Sequence, residues 1–189
     1  MRVIAGRAGG LRLAVPKSGV RPTMDRVKAA IFSSLGGAII DARVLDLFAG
    51  SGALGIEALS RGAASVLFVE EDRQSAEAIE KNLAKTKLGG RVRRQEVFEF
   101  LRRSSGLERF QIIFADPPYE KTKSGERFTE KLLTNKELAR LLEFDGVFVL
   151  EKRPAEQTPA TKFWDIVRAR KYGATEVLFL RRPPSASMT

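Results

Sequence analysis

The stretch VLDLFAGSGALGIEAL, Val44 to Leu59, constrains the fold more than any other part of the chain. An apolar run ends at Gly50-x-Gly52-x-x-Gly55, and helix-forming residues follow at once. Strand, glycine turn and helix in that order open a βαβ unit, whose turn and helix N-terminus face a ligand at the carboxyl edge of a parallel sheet. The next apolar run, Ser65–Glu70, closes on an acid twenty residues after Gly50, which is also the spacing of the dinucleotide fingerprint.

Such a unit needs more sheet around it, and the hydrophobic pattern supplies it. Parallel strands are expected at Arg43–Phe48, Ser65–Glu70, Arg91–Gln95, Gln111–Ala115 and Gly146–Lys152. Between them the pattern predicts helices at Ala53–Arg61, at Arg73–Lys87 behind a capping Asp72, and near Phe98–Arg103. A longer helical region is expected from Glu126 to Leu142, with TNKE, Thr134 to Glu137, as a capping box inside it. Trp164–Lys171 and Thr175–Leu180, separated by Gly173, predict an antiparallel hairpin added to the sheet edge. Upstream, Thr23 is placed to cap a helix to about Leu35 with Val27, Ala30, Ile31 and Leu35 on one face. Val3–Ala5 and Leu11–Val15 flank a glycine-rich turn and suggest a small hairpin. The expected architecture is α/β and Rossmann-like: a mostly parallel sheet with an antiparallel hairpin at one edge and a small N-terminal β-hairpin arm. The arm is assigned to residues 1–22 and the main domain to residues 23–189. No apolar run approaches the ~18 residues that span a bilayer, and the N-terminus has no long apolar segment, so the expected location is the cytoplasm.

The chain has no histidine and no cysteine. Imidazole bases, thiolate nucleophiles, disulfides and Cys-ligated zinc are thereby removed, and carboxylates, hydroxyls, amines and backbone groups remain. Net charge is +10, and it is unevenly placed. Residues 1–28 carry seven basic side chains against one acid, and residues 152–182 carry eight against three. A polyanion suits such ends, because neutralising its phosphates releases counterions. Arg2, Arg7, Arg12, Lys17, Arg21 and Arg26 are the candidate nucleic-acid contacts.

Two features point away from a nicotinamide site. Asp46 stands inside the strand, where a carboxylate suits the ammonium group and positive charge of S-adenosylmethionine and would repel a pyrophosphate. The second is FADPPY, in which the fourth parallel strand ends at Asp116, Pro117, Pro118 and Tyr119. An exocyclic amine on a nucleobase is a poor nucleophile because its lone pair is delocalised into the ring. The Asp116 carboxylate and the Pro117 carbonyl can each accept one of its N–H groups, holding the nitrogen in a reactive geometry. The prolines stiffen the loop, and Tyr119 can stack on the base. That chemistry calls for no metal.

DLFAGSG together with DPPY resembles the class I S-adenosylmethionine-dependent methyltransferases that act on exocyclic amines. RVIAG…RPTMDRVKAAIFSSL, VLDLFAGSGALGIEALSRGA and FADPPY together resemble the RsmD family of bacterial 16S ribosomal RNA guanine-N2 methyltransferases, from Arg2 to about Arg181. The resemblance implies a turn, Phe48, Ala49, Gly50, Ser51 and Gly52, that wraps the methionine part of the cofactor. It implies Glu70 on the ribose hydroxyls, and Glu96 with the Val97 backbone near the adenine amino group. It also implies 16S ribosomal RNA as partner, free or within a small-subunit assembly particle; the apolar runs imply no membrane, and a monomer is the expected state, which the sequence itself does not determine. Three alternatives stand beside it: an N6-adenine methyltransferase on RNA or DNA, a nicotinamide oxidoreductase, and a non-catalytic RNA-binding assembly factor that has kept the fold.

Overall fold

The computed structural model describes residues 1–15, 23–104, 106, 108–118 and 127–184, without the side chains of residues 23 and 24. In chain order the elements are α1 (Thr23–Leu35), β1 (Arg43–Leu47), α2 (Ala53–Ser60), β2 (Ser65–Glu70), α3 (Arg73–Thr86), β3 (Arg91–Arg94), α4 (Val97–Arg102), β4 (Phe110–Ala115), α5 (Phe128–Leu133), α6 (Lys136–Leu141), β5 (Leu142–Lys152), β6 (Asp165–Tyr172) and β7 (Thr175–Arg181). The strands form one sheet in the order β3-β2-β1-β4-β5-β7-β6. β7 lies antiparallel between β5 and β6, and the other pairings are parallel.

Burial on both faces explains why the central strands read as nearly unbroken apolar runs. Val44, Phe114, Val149 and Phe179 pack against α1, α2 and α3, whereas Leu45, Ile113, Phe148 and Leu178 face α4, α5 and α6. At Gly55 α2 lies too close to the sheet for a side chain: a Cβ there would lie 2.3 Å from the Phe68 ring. α3 starts as its sequence dictates, the Asp72 carboxylate accepting the Ser75 N–H at 2.8 Å.

Three expectations need correcting. The region from Glu126 to Leu142 divides into two short helices, with residue 126 outside the described residues, but the division does not fall on a Thr134 capping box. Thr134 ends the first, its hydroxyl donating to the Glu130 carbonyl. Asn135 caps the second, accepting from the Glu137 and Leu138 N–H groups, so Glu137 sits one position too early for a capping box. β5 also begins four residues sooner than expected, because a bulge absorbs the Asp145-Gly146 turn signal between Leu142, opposite Phe110, and Val147, opposite Ile112. Finally, α1 starts at Thr23 itself, so the position that caps it lies outside the described residues.

Residues 1–15 fold against the same core. Their two runs meet at an antiparallel bridge between Arg2 and Arg12, and Val3 and Leu13 are buried with α1, α2 and α3. The attachment is centred on Glu57, which is fully buried. Its carboxylate accepts the N–H groups of Ile4 (2.7 Å) and Ala5 (3.1 Å). It also pairs with Lys28 at 3.3 Å and with Arg61 at 2.7 Å. Lys28 is itself buried and donates to the Arg2 carbonyl at 2.6 Å. Removing one member of such a group strands the others without compensation. Glu57→Ala should therefore lose about 3–5 kcal/mol in urea unfolding; a loss below about 1 kcal/mol, the range of exposed pairs, would contradict the hub.

Candidate active site

The parallel register places the site. Asp46 is opposite Phe114, and Phe114 is opposite Val149, so these three share a face. Two residues further on, the same face carries Asp116 beyond β4 and Glu151 on β5. The glycine turn follows β1 at the same edge. Together they enclose a cavity of about 380 Å³ whose lining includes Asp46, Phe48–Ser51, Glu70, Glu71, Val97, Asp116, Pro118 and Glu151. Lys28 and Met1 reach it from α1 and the N-terminal segment.

The turn is held by the acids around it. Glu70 accepts the Gly50 N–H at 2.7 Å with one oxygen and the Asp72 N–H at 2.8 Å with the other, so it fixes the turn to the end of β2. Asp46 accepts the Gly55 N–H at 2.9 Å, which ties β1 to the first turn of α2. Gly50 and Gly52 are left-handed, with φ of 55° and 77°, and a Cβ on Gly50 would meet nothing within 4 Å. Phe48 has a φ of 55° although it has a side chain, a conformation that costs energy and recurs at ligand sites. Its ring is fixed edge-on against Phe98 (6.2 Å) and Phe128 (5.4 Å).

These observations settle where the expected residues stand. Asp46, Phe48, Ala49, Gly50, Ser51, Glu70, Val97, Asp116 and Pro118 line one cavity. Gly52 supports the turn from α2, and Pro117 is buried between Asp116 and Pro118. Glu96 stands apart. Its carboxylate caps α4 through the Phe98 and Glu99 N–H groups, and it lines a neighbouring pocket with Glu71, Phe98, Phe128 and Lys131. Tyr119, Lys17 and Arg21 lie outside the described residues. Arg2, Arg7, Arg12 and Arg26 are exposed, and the bridge sets Arg2 beside Arg12.

The sequence reading missed Lys28, Glu71 and Glu151. Lys28 was legible as an i, i+4, i+7 partner of Phe32 and Leu35 on an apolar helix face. Glu151 ends the apolar run Val147–Leu150 just as Asp116 ends Ile112–Ala115, a parallel that only the sheet register makes significant.

A sheet in this order, with a glycine turn after β1 and Asp-Pro-Pro after β4, defines a class I methyltransferase fold. Residues 1–181 match the family model described as conserved hypothetical protein 95, and the chain belongs to that family, the RsmD family. YlbH of Bacillus subtilis (strain 168), provisionally named an rRNA methyltransferase, is 39% identical over 188 residues, spanning 96% of this chain and 99% of YlbH. Ribosomal RNA small subunit methyltransferase D of Escherichia coli (strain K12) is 45% identical over 123 residues, spanning 64% of this chain and 61% of that protein. Among solved structures, the Thermus thermophilus 16S rRNA N2 G1207 methyltransferase RsmC, in complex with AdoMet and guanosine, has a TM-score of 0.66 at 26% identity, over 88% of this chain and 44% of that one.

The carboxylates give the cavity a pH signature. Burial pushes the Asp46 carboxyl up to about 8, with the Gly55 N–H opposing and the charges of Asp116 and Glu70 adding to the rise. Glu151 is raised for the same main reason, and by Asp116 and Asp46. An acid whose pKa is higher folded than unfolded contributes stability that is full below its unfolded value, about 4, and is lost as pH rises through its folded value. The urea midpoint should therefore fall from pH 5 to pH 8, and Asp46→Asn should flatten that fall. Parallel pH curves for the two proteins would show that Asp46 does not titrate in this window.

Proposed function

We propose that the chain transfers a methyl group from S-adenosylmethionine to the N2 amine of a guanine in 16S ribosomal RNA. One observation carries this reading: a single cavity joins the glycine turn and its acids to Asp116 and Pro118. Its volume is within the usual range of small-molecule sites, about 300–1,000 Å³. The chain's membership of the RsmD family, and the relatives named as rRNA methyltransferases, supply the substrate class.

The residues fit the cofactor by their chemistry. An ammonium group beside Asp46 offsets the burial that holds its carboxyl up at about 8 and favours the carboxylate. Gly50 leaves room for close approach, and Glu70 ends β2 where ribose hydroxyls are bound in open α/β folds. Glu70's oxygens already hold two backbone N–H groups, and each has a second lone pair left to accept a hydroxyl. When bound, S-adenosylmethionine supplies an electrophilic methyl group on a positively charged sulfur. Asp116 and the Pro117 carbonyl accept the two amine N–H groups, which localises the nitrogen lone pair and aims it towards the turn. Pro117 and Pro118 have no N–H to compete for those acceptors. Outside the cavity, Arg2, Arg7, Arg12 and Arg26 hold RNA phosphates, which positions the RNA without reading its sequence.

Asp116→Ala should abolish methyl transfer in single-turnover assays and leave S-adenosylmethionine binding close to wild type. Comparable rates for the two proteins would remove Asp116 from the reaction. Glu70→Ala should weaken cofactor binding by ~1.5–3 kcal/mol in calorimetry, the range of a hydrogen bond to a charged group. NAD in place of S-adenosylmethionine should give no heat. Residues 1–15 share the core, so the RNA role is best tested by substitution: each of Arg2→Ala and Arg12→Ala should flatten log K against log[salt] by roughly 0.7–0.9. Unchanged slopes would place the RNA elsewhere.

A further inference from the structure

The mechanism above leaves Glu151 unused, although the fold sets it beside the reacting group. Ala115 is paired with Leu150, so Asp116, the first residue beyond β4, and Glu151 on β5 each follow directly after a paired position. Both line the cavity. Asp46 and Glu70 each accept backbone N–H groups there, whereas among the described residues no N–H or O–H donates to the Glu151 carboxylate. Glu151 is half-buried, and a carboxylate that is only partly in water and has no protein donor carries a desolvation cost. Burial and the charges of Asp116 and Asp46 hold its pKa up accordingly. A ligand that brings a hydrogen-bond donor removes that cost.

The place of Glu151 indicates which part of a ligand that is. The turn, Asp46 and Glu70 belong to β1 and β2, on one side of Asp116, and Glu151 lies on β5, on the other. It therefore meets the base rather than the cofactor. With the exocyclic amine held at Asp116, the next group along the Watson–Crick edge comes to Glu151. In guanine that group is N1–H, a donor beside the N2 amine. In adenine the ring atom beside the N6 amine is N1, an acceptor whose lone pair a carboxylate repels. We propose that Glu151 accepts the N1–H of the target guanine and so sets the choice of base. This rests on the guanine-N2 reading above and assigns a specificity-determining residue to it.

The test uses 2-aminopurine, which keeps the 2-amine, replaces N1–H by a bare N1 and lacks O6, so that the Glu151→Gln comparison separates the N1 contact from the loss of O6. The guanine that the wild-type enzyme methylates in 16S ribosomal RNA is first located by nucleoside mass spectrometry. RNA is then made with guanine or 2-aminopurine at that position. Above the pH at which Glu151 loses its proton, wild type should methylate the guanine RNA roughly tenfold or more faster, because the analogue leaves the carboxylate facing a lone pair. The preference should shrink as pH falls and the protonated acid donates to N1. Glu151→Gln keeps the shape, and its amide can either accept from N1–H or donate to N1, so its preference should fall to within about threefold. Its cofactor affinity by calorimetry and its urea midpoint should match or exceed those of wild type. A wild-type ratio retained by Glu151→Gln, or no discrimination by wild type, would overturn the assignment. A loss of S-adenosylmethionine affinity in the variant would give Glu151 to the cofactor instead. Absence of N2-methylguanine in the first step is a different failure: it removes the guanine-N2 reading before any Glu151 variant is measured.

Discussion

The site depends on the parallel register of β4 against both β1 and β5. Side chains alternate across a strand, so slipping one strand by a single residue would turn Asp46, Asp116 or Glu151 to the opposite face. Packing on both faces prevents the slip. Val44, Ile112, Phe114 and Val149 belong to the core on one side of the sheet, while Ile113 lies between Leu45 and Phe148 on the other. The bulge at the start of β5 lies at the far end of the strand and leaves the pairing from Ile112–Val147 to Ala115–Leu150 continuous. A functional edge is thus specified by apolar residues that never touch a ligand.

The electrostatics divide the molecule in two. Its net charge is +10, and the basic side chains cluster near the chain ends, where Arg2, Arg7, Arg12 and Arg26 are exposed. The cavity instead gathers Asp46, Glu70, Asp116 and Glu151 around a turn of backbone N–H groups. A basic exterior with an acidic cavity is consistent with the proposal that a phosphate chain is held outside while a cationic methyl donor and N–H donors are received inside. Lys28 is the exception, a buried cation at the cavity wall, neutralised by Glu57. Through that pair the N-terminal segment, α1 and α2 share one buried charge network that reaches the cavity wall.

Much of this was legible in the sequence because it is local. Val44–Phe48 and Ile112–Ala115 read as buried strands, Asp72 as a cap and Gly50-x-Gly52-x-x-Gly55 as a ligand turn. Each signal depends on neighbours within a few residues. The helix break at Thr134 and Asn135 was misread because Thr and Asn both cap helices, and the choice between them depended on where α5 ended. Glu57 and Lys28 were invisible as a pair: they are far apart in sequence, and although Lys28 sits on an apolar helix face, nothing local to it names Glu57 as its partner. Glu151 was missed for the same reason, since its nearness to Asp116 is a property of strand pairing.

The central claim is that this edge of the sheet methylates a guanine N2 amine. The direct measurement is mass spectrometry of the nucleosides from 16S ribosomal RNA, purified from cells lacking the protein and incubated with it and S-adenosylmethionine. The account predicts the appearance of N2-methylguanosine at one position. Methyl groups on adenosine N6, or an unmethylated RNA in the presence of a protein that binds both cofactor and RNA, would contradict it.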